Sequence, residues 1–338
     1  MNKMNEATKK PISPVHLEFL SPAPVRPGMH DIDIAVVKLL NKFHSRITAS
    51  WRAIPAPYHL LKTDKLPMEQ KRHTLAITPN TDFIPACQGK GPDPAHDYDH
   101  PVTDLKFVAS VSNTCWGLIT YDPDIKTPEQ LVGKKIGVEP AGGSPRVLSD
   151  AVLRDAWGIF DEVELIDCHP PQALKGMLAG DMDATFWMHA WETLDGFTCS
   201  MRNALEEKDT YWVGVSFEDI DRINRANNWK LSRVLVPMGS IGAAGPKLDP
   251  PEDVGLPSFF GAICAWDDTE EEVVYELVRF LDEQSALWPE YTGGCPLSLA
   301  RMSMYPGMSD EMVHPGALRY YKENEIDIRG PVELHDMI

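Results

Sequence analysis

The segment from Glu139 to Arg146 holds the residue types best suited to bind an anion. Gly142 and Gly143 let the backbone bend between a predicted strand and a predicted helix, and Ser144 is placed to cap that helix. The unpaired N–H groups and the positive end of the helix dipole favour a carboxylate or a phosphate. The guanidinium of Arg146 could add a forked contact. The structural alternative is an ordinary capped turn.

Neutral hydrogen-bonding side chains stand at two other candidate positions. Asn80 and Thr81 follow the predicted strand Leu75–Thr78, in the loop that corresponds to the first one. The alternative for this pair is that either side chain caps the following helix. Ser240 lies in a Gly/Pro-rich stretch between two later strands, Met238 to Pro257. We expect its side chain to face the cleft that would hold the ligand.

Two tryptophans could cover the apolar part of a ligand. Trp116 begins the second of two short apolar runs between Lys106 and Tyr121, and it could stack on a ligand or simply pack. Trp187 lies in the predicted strand Ala184–Met188 and is followed by a second tryptophan, Trp191. An aromatic pair at this point predicts contact with a ligand.

His189 and Glu192 are the residues that could move a proton. His189 could be the donor or acceptor, with Glu192 orienting its ring, and the alternative is a packed histidine. Cys115 could act as a nucleophile, but no neighbour in the sequence would lower its pKa, so a buried small residue is favoured. The Cys/His spacing matches no zinc pattern. We expect neither a metal nor a cofactor.

Predicted strands and helices alternate, which favours an α/β fold with parallel strands. The predicted strands are Leu17–Leu20, Leu75–Thr78, Lys135–Val138, Val163–Ile166, Ala184–Met188, Val234–Pro237 and Gly261–Trp266, with two short apolar runs between Lys106 and Tyr121. Helices are predicted from Asp31, from Pro128 with Thr127 as the N-cap, and over Val147–Ala156, Pro170–Leu178 and Glu271–Leu287. Ligands of such sheets bind beyond the carboxyl ends of the strands.

Length and charge limit the classes of function. The chain has 338 residues, of which 43% are hydrophobic, enough for a sizeable core in about two domains. Lys and Arg number 32 against 50 Asp and Glu, a formal net charge of -18. Such a surface repels polyanions, so we expect no nucleic-acid partner. A cleft can be locally positive inside an acidic protein, which keeps a small anionic ligand compatible with this charge.

The sequence shows no segment that would embed the protein in a membrane. No apolar run approaches the roughly 18 residues that a span needs, and no apolar stretch near the start has the length of a secretory signal. The 6 cysteines are scattered and fit free thiols at least as well as three disulfides. The sequence as given predicts a cytoplasmic protein, or a periplasmic one whose signal has been removed.

The run from His314 to Glu323, which reads HPGALRYYKE, resembles the closing signature of the TAXI family, the solute receptors of TRAP-type transporters. Three further segments resemble the same family: Lys126–Val138, Gly176–Phe186 and Val273–Leu277. The opening third departs from it. Where the family has a Thr-Gly-x-x-Gly-Gly loop, this chain has the proline-rich Ser21–Gly28, which offers fewer N–H donors.

The resemblance implies a two-lobed α/β fold of the type II periplasmic-binding-protein kind, each lobe a mixed sheet flanked by helices. One lobe would be residues 1–107 plus 258–338 and the other 108–257, with hinges at the two strand crossings. The implied ligand is a small anionic metabolite, an organic acid or an amino-acid-like carboxylate, with Ser21 among its contacts. TRAP membrane subunits would be partners if the protein is exported. His314 is expected to be a cap or core contact.

Two functions remain open at this point. The first is a receptor that captures its ligand and releases it unchanged. The second is a cytoplasmic isomerase or lyase on the same fold, with His189 as the acid or base and Glu192 and Cys115 as its other candidate residues. The missing signal, the free cysteines and the His189/Glu192 pair favour the enzyme, whereas the resemblance favours the receptor. The fold itself does not choose between them.

Overall fold

The computed structural model of the protein describes residues 12–23, 29–55, 59–91, 96–140, 144–190, 208–239, 250–291 and 308–327. In these ranges the strands are β1 (Val15–Ala23), β2 (Ile47–Pro55), β3 (Thr74–Pro79), β4 (Leu105–Thr120), β5 (Lys135–Val138), β6 (Glu164–Asp167), β7 (Ala184–Ala190), β8 (Tyr211–Val213), β9 (Ser232–Val236) and β10 (Val254–Trp266). The α-helices are α1 (Met29–Phe43), α2 (His59–Asp64), α3 (Met68–Lys71), α4 (Asn80–Ala86), α5 (Ser144–Ala151), α6 (Pro170–Ala179), α7 (Phe217–Asn227), α8 (Glu271–Glu283), α9 (Trp288–Tyr291) and α10 (Pro315–Glu323). A π-helical turn, Val152–Ala156, extends α5.

The strands form one hydrogen-bonded sheet with a parallel block at each end. Its order is β2-β1-β3-β10-β4-β7-β5-β6, while β8 pairs with β4 and β9 with β10. At one end β1 runs parallel to β2 and β3, and at the other β5 runs parallel to β6 and β7. In the middle, β4 and β10 run antiparallel to each other and to their other neighbours.

The strands β4 and β10 each serve two lobes. In β10, Gly261–Cys264 pairs with β3 and Val254–Ser258 pairs with β9. In β4, only Thr114–Thr120 pairs with β7. The first lobe is therefore built on β1 to β3 and the second on β5 to β9, with both long strands crossing between them. Irregular register between β4 and β10, at Gly261/Ala262 and again at Ile263/Cys264, lies near the crossing.

Two hydrophobic cores accompany the two lobes. The larger contains Phe19, Leu75, Phe107 and Trp266 of the first lobe and continues onto one face of the second-lobe sheet. The smaller lies mainly in the second lobe, where β4, β5 and β7 pack against α5 and α7, and it also includes Phe259 of the crossing strand β10. Because each lobe has a mixed sheet flanked by helices, the predicted α/β class is confirmed.

Local sequence signals explain several of these elements. Val274, Leu277, Val278 and Leu281 recur at helical spacing and all are buried on one face of α8, as the sequence predicts. Helix α6 has proline at its first position and ends at Gly180, whose φ of 81° is the left-handed conformation that glycine adopts without strain.

Other segments differ from the predictions. Strand β1 continues through Ser21, which pairs with Ala53, so Ser21 is a strand residue and not the start of a loop. Strand β2, strand β8 and helix α7 were not predicted. The two apolar runs between Lys106 and Tyr121 are parts of the single 16-residue strand β4. Thr127 holds the predicted N-cap position, and its N–H donates to the Gln130 side-chain oxygen at 2.9 Å, but the turn that follows, Pro128–Leu131, is a 3-10 helix.

Candidate functional site

The carboxyl ends of strands from the two lobes face each other across β4. Pro79, the last residue of β3, lies opposite Gly261 of β10, which lies opposite Ser112 of β4. Ala190, the last residue of β7, lies opposite Thr114 of β4. The two strand ends are thus separated by two residues of β4, or about 7 Å along the strand. We call this region the interlobe gap.

Asn80 and Thr81 form the wall of the gap on the first lobe. They are the first two residues of α4, directly after β3. Neither is the helix cap, because Pro79 holds that position and no side chain caps the helix. Asn80 is fully buried and Thr81 is 6% exposed. The Thr81 hydroxyl has no hydrogen-bond partner among the described residues.

Hydrogen bonds join the two lobes beside this wall. The Asn80 side-chain amide donates to the Lys230 carbonyl at 3.2 Å. Asn228 donates to the Gln88 side-chain oxygen at 2.6 Å. Asn228 has a φ of 54°, and it reaches across from the end of α7 to the residues after α4. The structure therefore has the lobes in contact at this point.

Arg146 is held by carboxylates of its own lobe. Its Nε donates to Asp150 at 2.7 Å and its Nη1 to Asp167 at 2.6 Å. Nη1 also lies 3.4 Å from the Glu139 carbonyl oxygen. Burial opposes the charge, but the two carboxylates outweigh it and raise the pKa of Arg146. The guanidinium thus ties the first turn of α5 to the carboxyl ends of β5 and β6.

Glu139 and His169 form a second polar pair at the same strand ends. The Glu139 carboxylate lies 3.1 Å from His169 Nδ1, with its side chain 12% exposed. Glu139 follows β5, and His169 is the N-cap of α6. The sequence showed both residues at element ends. It gave no signal that two loops 30 residues apart meet here.

The two candidate tryptophans lie in the cores. Trp116 is 2% exposed, its ring stacks on Phe186 at 6.0 Å, and its indole N–H donates to Ser149 at 2.9 Å. These contacts favour the packing alternative for Trp116. Trp187 is 4% exposed and belongs to the larger core. In this structure neither side chain stands exposed in the gap, and a ligand contact of Trp116 or Trp187 stays a prediction.

Cys115 is an inert thiol in this structure. It is 1% exposed, and burial raises its pKa to about 12. Since the thiolate is the nucleophile, this environment argues against the nucleophilic role. His189 lies opposite Cys115 in the backbone register of β7 and β4.

Several candidates lie outside the described residues. These are Gly142, Gly143, Ser240 and Glu192. Ser144 is described only as the first residue of α5. The anion loop and the proposed acid–base pair therefore stay predictions.

A cluster of possible metal ligands occurs elsewhere, at Asp64, His100 and Asp104. A lysine ammonium already lies between the carboxylates: Lys71 Nζ is 3.3 Å from Asp64 and 3.3 Å from Asp104. The same ammonium lies 3.8 Å from the centre of the Trp266 ring. The cluster is thus occupied by a side-chain cation of the protein itself.

The C-terminal signature is a structural element. His314 caps α10 by accepting from the Gly316 N–H at 3.2 Å, and its Nε2 lies 3.2 Å from the Thr269 carbonyl. A Cβ on Gly316 would lie 2.2 Å from the Glu271 carbonyl oxygen, so α10 and α8 approach too closely for any other residue. The prediction that His314 is a cap or core contact is confirmed.

Comparison with known proteins identifies the family. Residues 65–324, well over half of the chain, match the model of the NMT1-like family. The chain belongs to the NMT1-like family. No curated protein matches the sequence.

Several solved structures are similar to this NMT1-like chain. They include MatC from Rhodopseudomonas palustris with bound malate (13% identity, 93% of this chain, 97% of that chain, TM-score 0.50). A second R. palustris protein, with adipate, has 14% identity, 93% and 94% coverage and a TM-score of 0.49. The aliphatic sulphonate binding protein SsuA from Escherichia coli has 15% identity, 94% and 96% coverage and a TM-score of 0.46.

At these identities the likeness concerns the fold, which is the two-lobed periplasmic-binding-protein type. The narrower resemblance of this NMT1-like chain to TAXI receptors stays a prediction. In the part of the chain that the structure describes, no helix has the length and apolar character to cross a membrane.

Proposed function

We propose that the protein is a solute receptor that encloses a small organic acid or amino-acid-like carboxylate in the interlobe gap. One observation carries this proposal: the buried Thr81 hydroxyl has no hydrogen-bond partner among the described residues. An unpaired buried hydroxyl costs about 1–3 kcal/mol, and a ligand contact would remove that cost. Thr81 lies beyond the carboxyl end of β3, where α/β sheets bind their ligands.

The negative group of the ligand would be held by the second lobe. We assign it to the amides of Gly142, Gly143 and Ser144. The position of α5 supports this, because its first turn follows the carboxyl end of β5 and its dipole favours an anion there. Arg146 supports the same loop through its contact with the Glu139 carbonyl. Its charge would therefore act on the ligand mainly across the loop, without direct contact.

Closure would occur by a hinge in β4 and β10. The proposed lobes are residues 1–107 with 258–338, and 108–257. A smaller core that lies mainly in the second lobe and the irregular register near Gly261 support a division at the two crossing strands. The bonds from Asn80 to Lys230 and from Asn228 to Gln88 would form on closure and break on opening.

The transport setting follows from the same reasoning. Similar solved structures include periplasmic binding proteins, and others have malate or adipate bound. We propose a TAXI-type receptor that delivers an anionic metabolite to TRAP membrane subunits after export. The cytoplasmic alternative has no positive support from the fold.

The enzyme alternative has lost one of its candidate residues. Cys115 is buried, and burial raises its pKa to about 12, which disfavours a nucleophilic role. A receptor that returns its ligand unchanged therefore accounts for more of the observations.

Thermal unfolding with a library of organic acids tests the proposal. A ligand that binds only the folded protein stabilises it by about 2.7 kcal/mol at a ligand concentration of a hundred times Kd. This stabilisation raises the melting temperature. We expect at least one mono- or dicarboxylate to do so, and the recovered ligand to be chemically unchanged. Absence of any stabilising acid at millimolar concentration, or conversion of the bound acid, would refute the receptor.

A further inference from the structure

Ser232 belongs to a row of residues that lie opposite one another on four neighbouring strands, at the edge of the interlobe gap. It lies opposite Ser258 of β10, Ser258 lies opposite Cys115 of β4, and Cys115 lies opposite His189 of β7. All three pairs are antiparallel, so residues directly opposite one another share a face of the sheet. The adjacent pair, Thr114 with Ala190, is where β7 ends. Ser232 is therefore within one row of the strand end that borders the gap.

The Ser232 side chain is buried without a partner. It is 2% exposed, and its hydroxyl has no hydrogen-bond partner in the described part of the chain. A hydroxyl can donate one hydrogen bond and accept two, so burying it unpaired is costly. Packing alone does not explain the choice of residue, because alanine would fill nearly the same volume without that cost.

Ser232 and Thr81 lie on either side of the contact between the lobes. Thr81 is next to Asn80, which donates to Lys230, and Ser232 is two residues beyond Lys230, at most about 7 Å along the chain. Each lobe thus contributes one unpaired hydroxyl beside the hydrogen bond from Asn80 to Lys230. Lys71 is the only lysine or arginine among the buried described residues, and it is held at Trp266. The two unpaired groups beside the Asn80–Lys230 hydrogen bond are neutral hydroxyls.

We propose that Ser232 is a specificity-determining residue that hydrogen-bonds an alcohol or carbonyl oxygen of the ligand. The inference rests on the proposed function and narrows its ligand class. A receptor that presents a neutral hydroxyl at Ser232 to its ligand selects hydroxy or oxo acids over the corresponding plain aliphatic acids. A site built to hydrogen-bond a polar group rejects analogues that lack it, since its own buried hydroxyl would stay unpaired.

Two variants test the assignment. Ser232→Ala removes the hydroxyl in question. Thr210→Val is the matched control, because the Thr210 hydroxyl is also buried and unpaired. Thr210 precedes β8, whose Tyr211 pairs with Thr120, about 20 Å along β4 from the Thr114 row. Both substitutions remove an unpaired buried hydroxyl, so neither is expected to lower the denaturation midpoint of the ligand-free protein.

The measurement is calorimetric titration with acids that differ by one oxygen: malate against succinate, and 2-hydroxyglutarate and 2-oxoglutarate against glutarate. We expect the parent and Thr210→Val to prefer an oxygenated member, and Ser232→Ala to lose roughly tenfold of that preference.

The outcomes separate the two proposals. A parent that binds neither these acids nor any acid of the thermal-unfolding library defeats the proposed function, and this inference with it. A parent that binds library acids but none of these overturns the assignment of Ser232 alone. A parent that binds without preference, or a Ser232→Ala variant that keeps the preference, overturns the assignment of Ser232 alone. Equal losses in Thr210→Val and Ser232→Ala would overturn it as well, since they would show a general effect of buried hydroxyls.

Discussion

The side-chain amide of Asn41 makes both hydrogen bonds that a neighbouring strand would make with Ala49. Its nitrogen donates to the Ala49 carbonyl at 2.7 Å, and its oxygen accepts from the Ala49 N–H at 2.7 Å. Ala49 belongs to β2, the last strand at one end of the sheet. His44 adds a similar contact by accepting from the Ile47 N–H at 2.7 Å. The end of α1 thus covers the first half of an edge strand that could otherwise pair with another chain.

Asn41→Ala should loosen this edge. Losing both bonds leaves two backbone groups of Ala49 dependent on water, and we expect the free energy of unfolding to fall by about 1–2 kcal/mol. Denaturant titration measures the loss, and light scattering at high concentration measures any new self-association. Asn41→Asp keeps the acceptor and loses the donor, so it should also be destabilised. Unchanged stability in both variants would show that the contact contributes nothing.

Strand β2 shows why part of the fold could not be predicted from the sequence. In β2 the residues Ile47 and Ala49 are buried while Thr48 is exposed, which is the alternation of a half-buried strand. Because Ala49 is small, the buried side of that alternation contributes little apolar area and was a weak signal. By contrast, the large apolar residues of α8 recur at helical spacing and predicted a helix that the structure contains.

Lys71→Met should be strongly destabilising. The ammonium is paired with Asp64 and Asp104, and the side chains of Lys71 and Asp64 are only 7% and 8% exposed. Removing one partner leaves a buried charge uncompensated, and we expect a loss of about 3 kcal/mol in chemical denaturation. Adding Asp64→Asn should restore part of it. A double variant no more stable than Lys71→Met would show that Asp64 does not carry the penalty.

His314 should make the protein sensitive to acid. Burial lowers its pKa from 6.5 to about 4, so the folded state resists protonation that the unfolded chain accepts. The stability from the neutral ring is complete above about pH 6.5 and is lost as the pH falls towards 4. His314→Asn keeps a capping side chain that does not titrate. Between pH 7 and 4.5 the parent should lose about 2–3 kcal/mol more than this variant in denaturant titrations. Parallel losses would contradict the assignment.

The site was predictable only in part. Asn80, Thr81 and the start of α5 were placed correctly beyond strand ends by the alternation of strands and helices. Asp150 is four residues from Arg146 on the same helix, a partner that spacing alone suggests. Asp167 is 21 residues away on another strand, and no local pattern connects it to Arg146. Which face of β4 holds Trp116 was equally invisible, because both faces of that strand are buried.

Asp167→Asn distinguishes two roles for Arg146. If the guanidinium contacted the ligand directly, removing a competing carboxylate would free its charge and strengthen binding of an anion. If Arg146 instead positions the anion loop through its ties to Asp167 and the Glu139 carbonyl, the same change loosens the loop and weakens binding.

We expect weakening, by roughly threefold to tenfold in Kd, as one charge-assisted hydrogen bond is lost. Folding stability should change by less than about 1 kcal/mol, because the Asp167 side chain is 59% exposed. Titration of the best-binding acid gives the sign, with Arg146→Lys as a companion that keeps the charge but not the fork. Tighter binding by Asp167→Asn would show instead that Arg146 contacts the ligand directly.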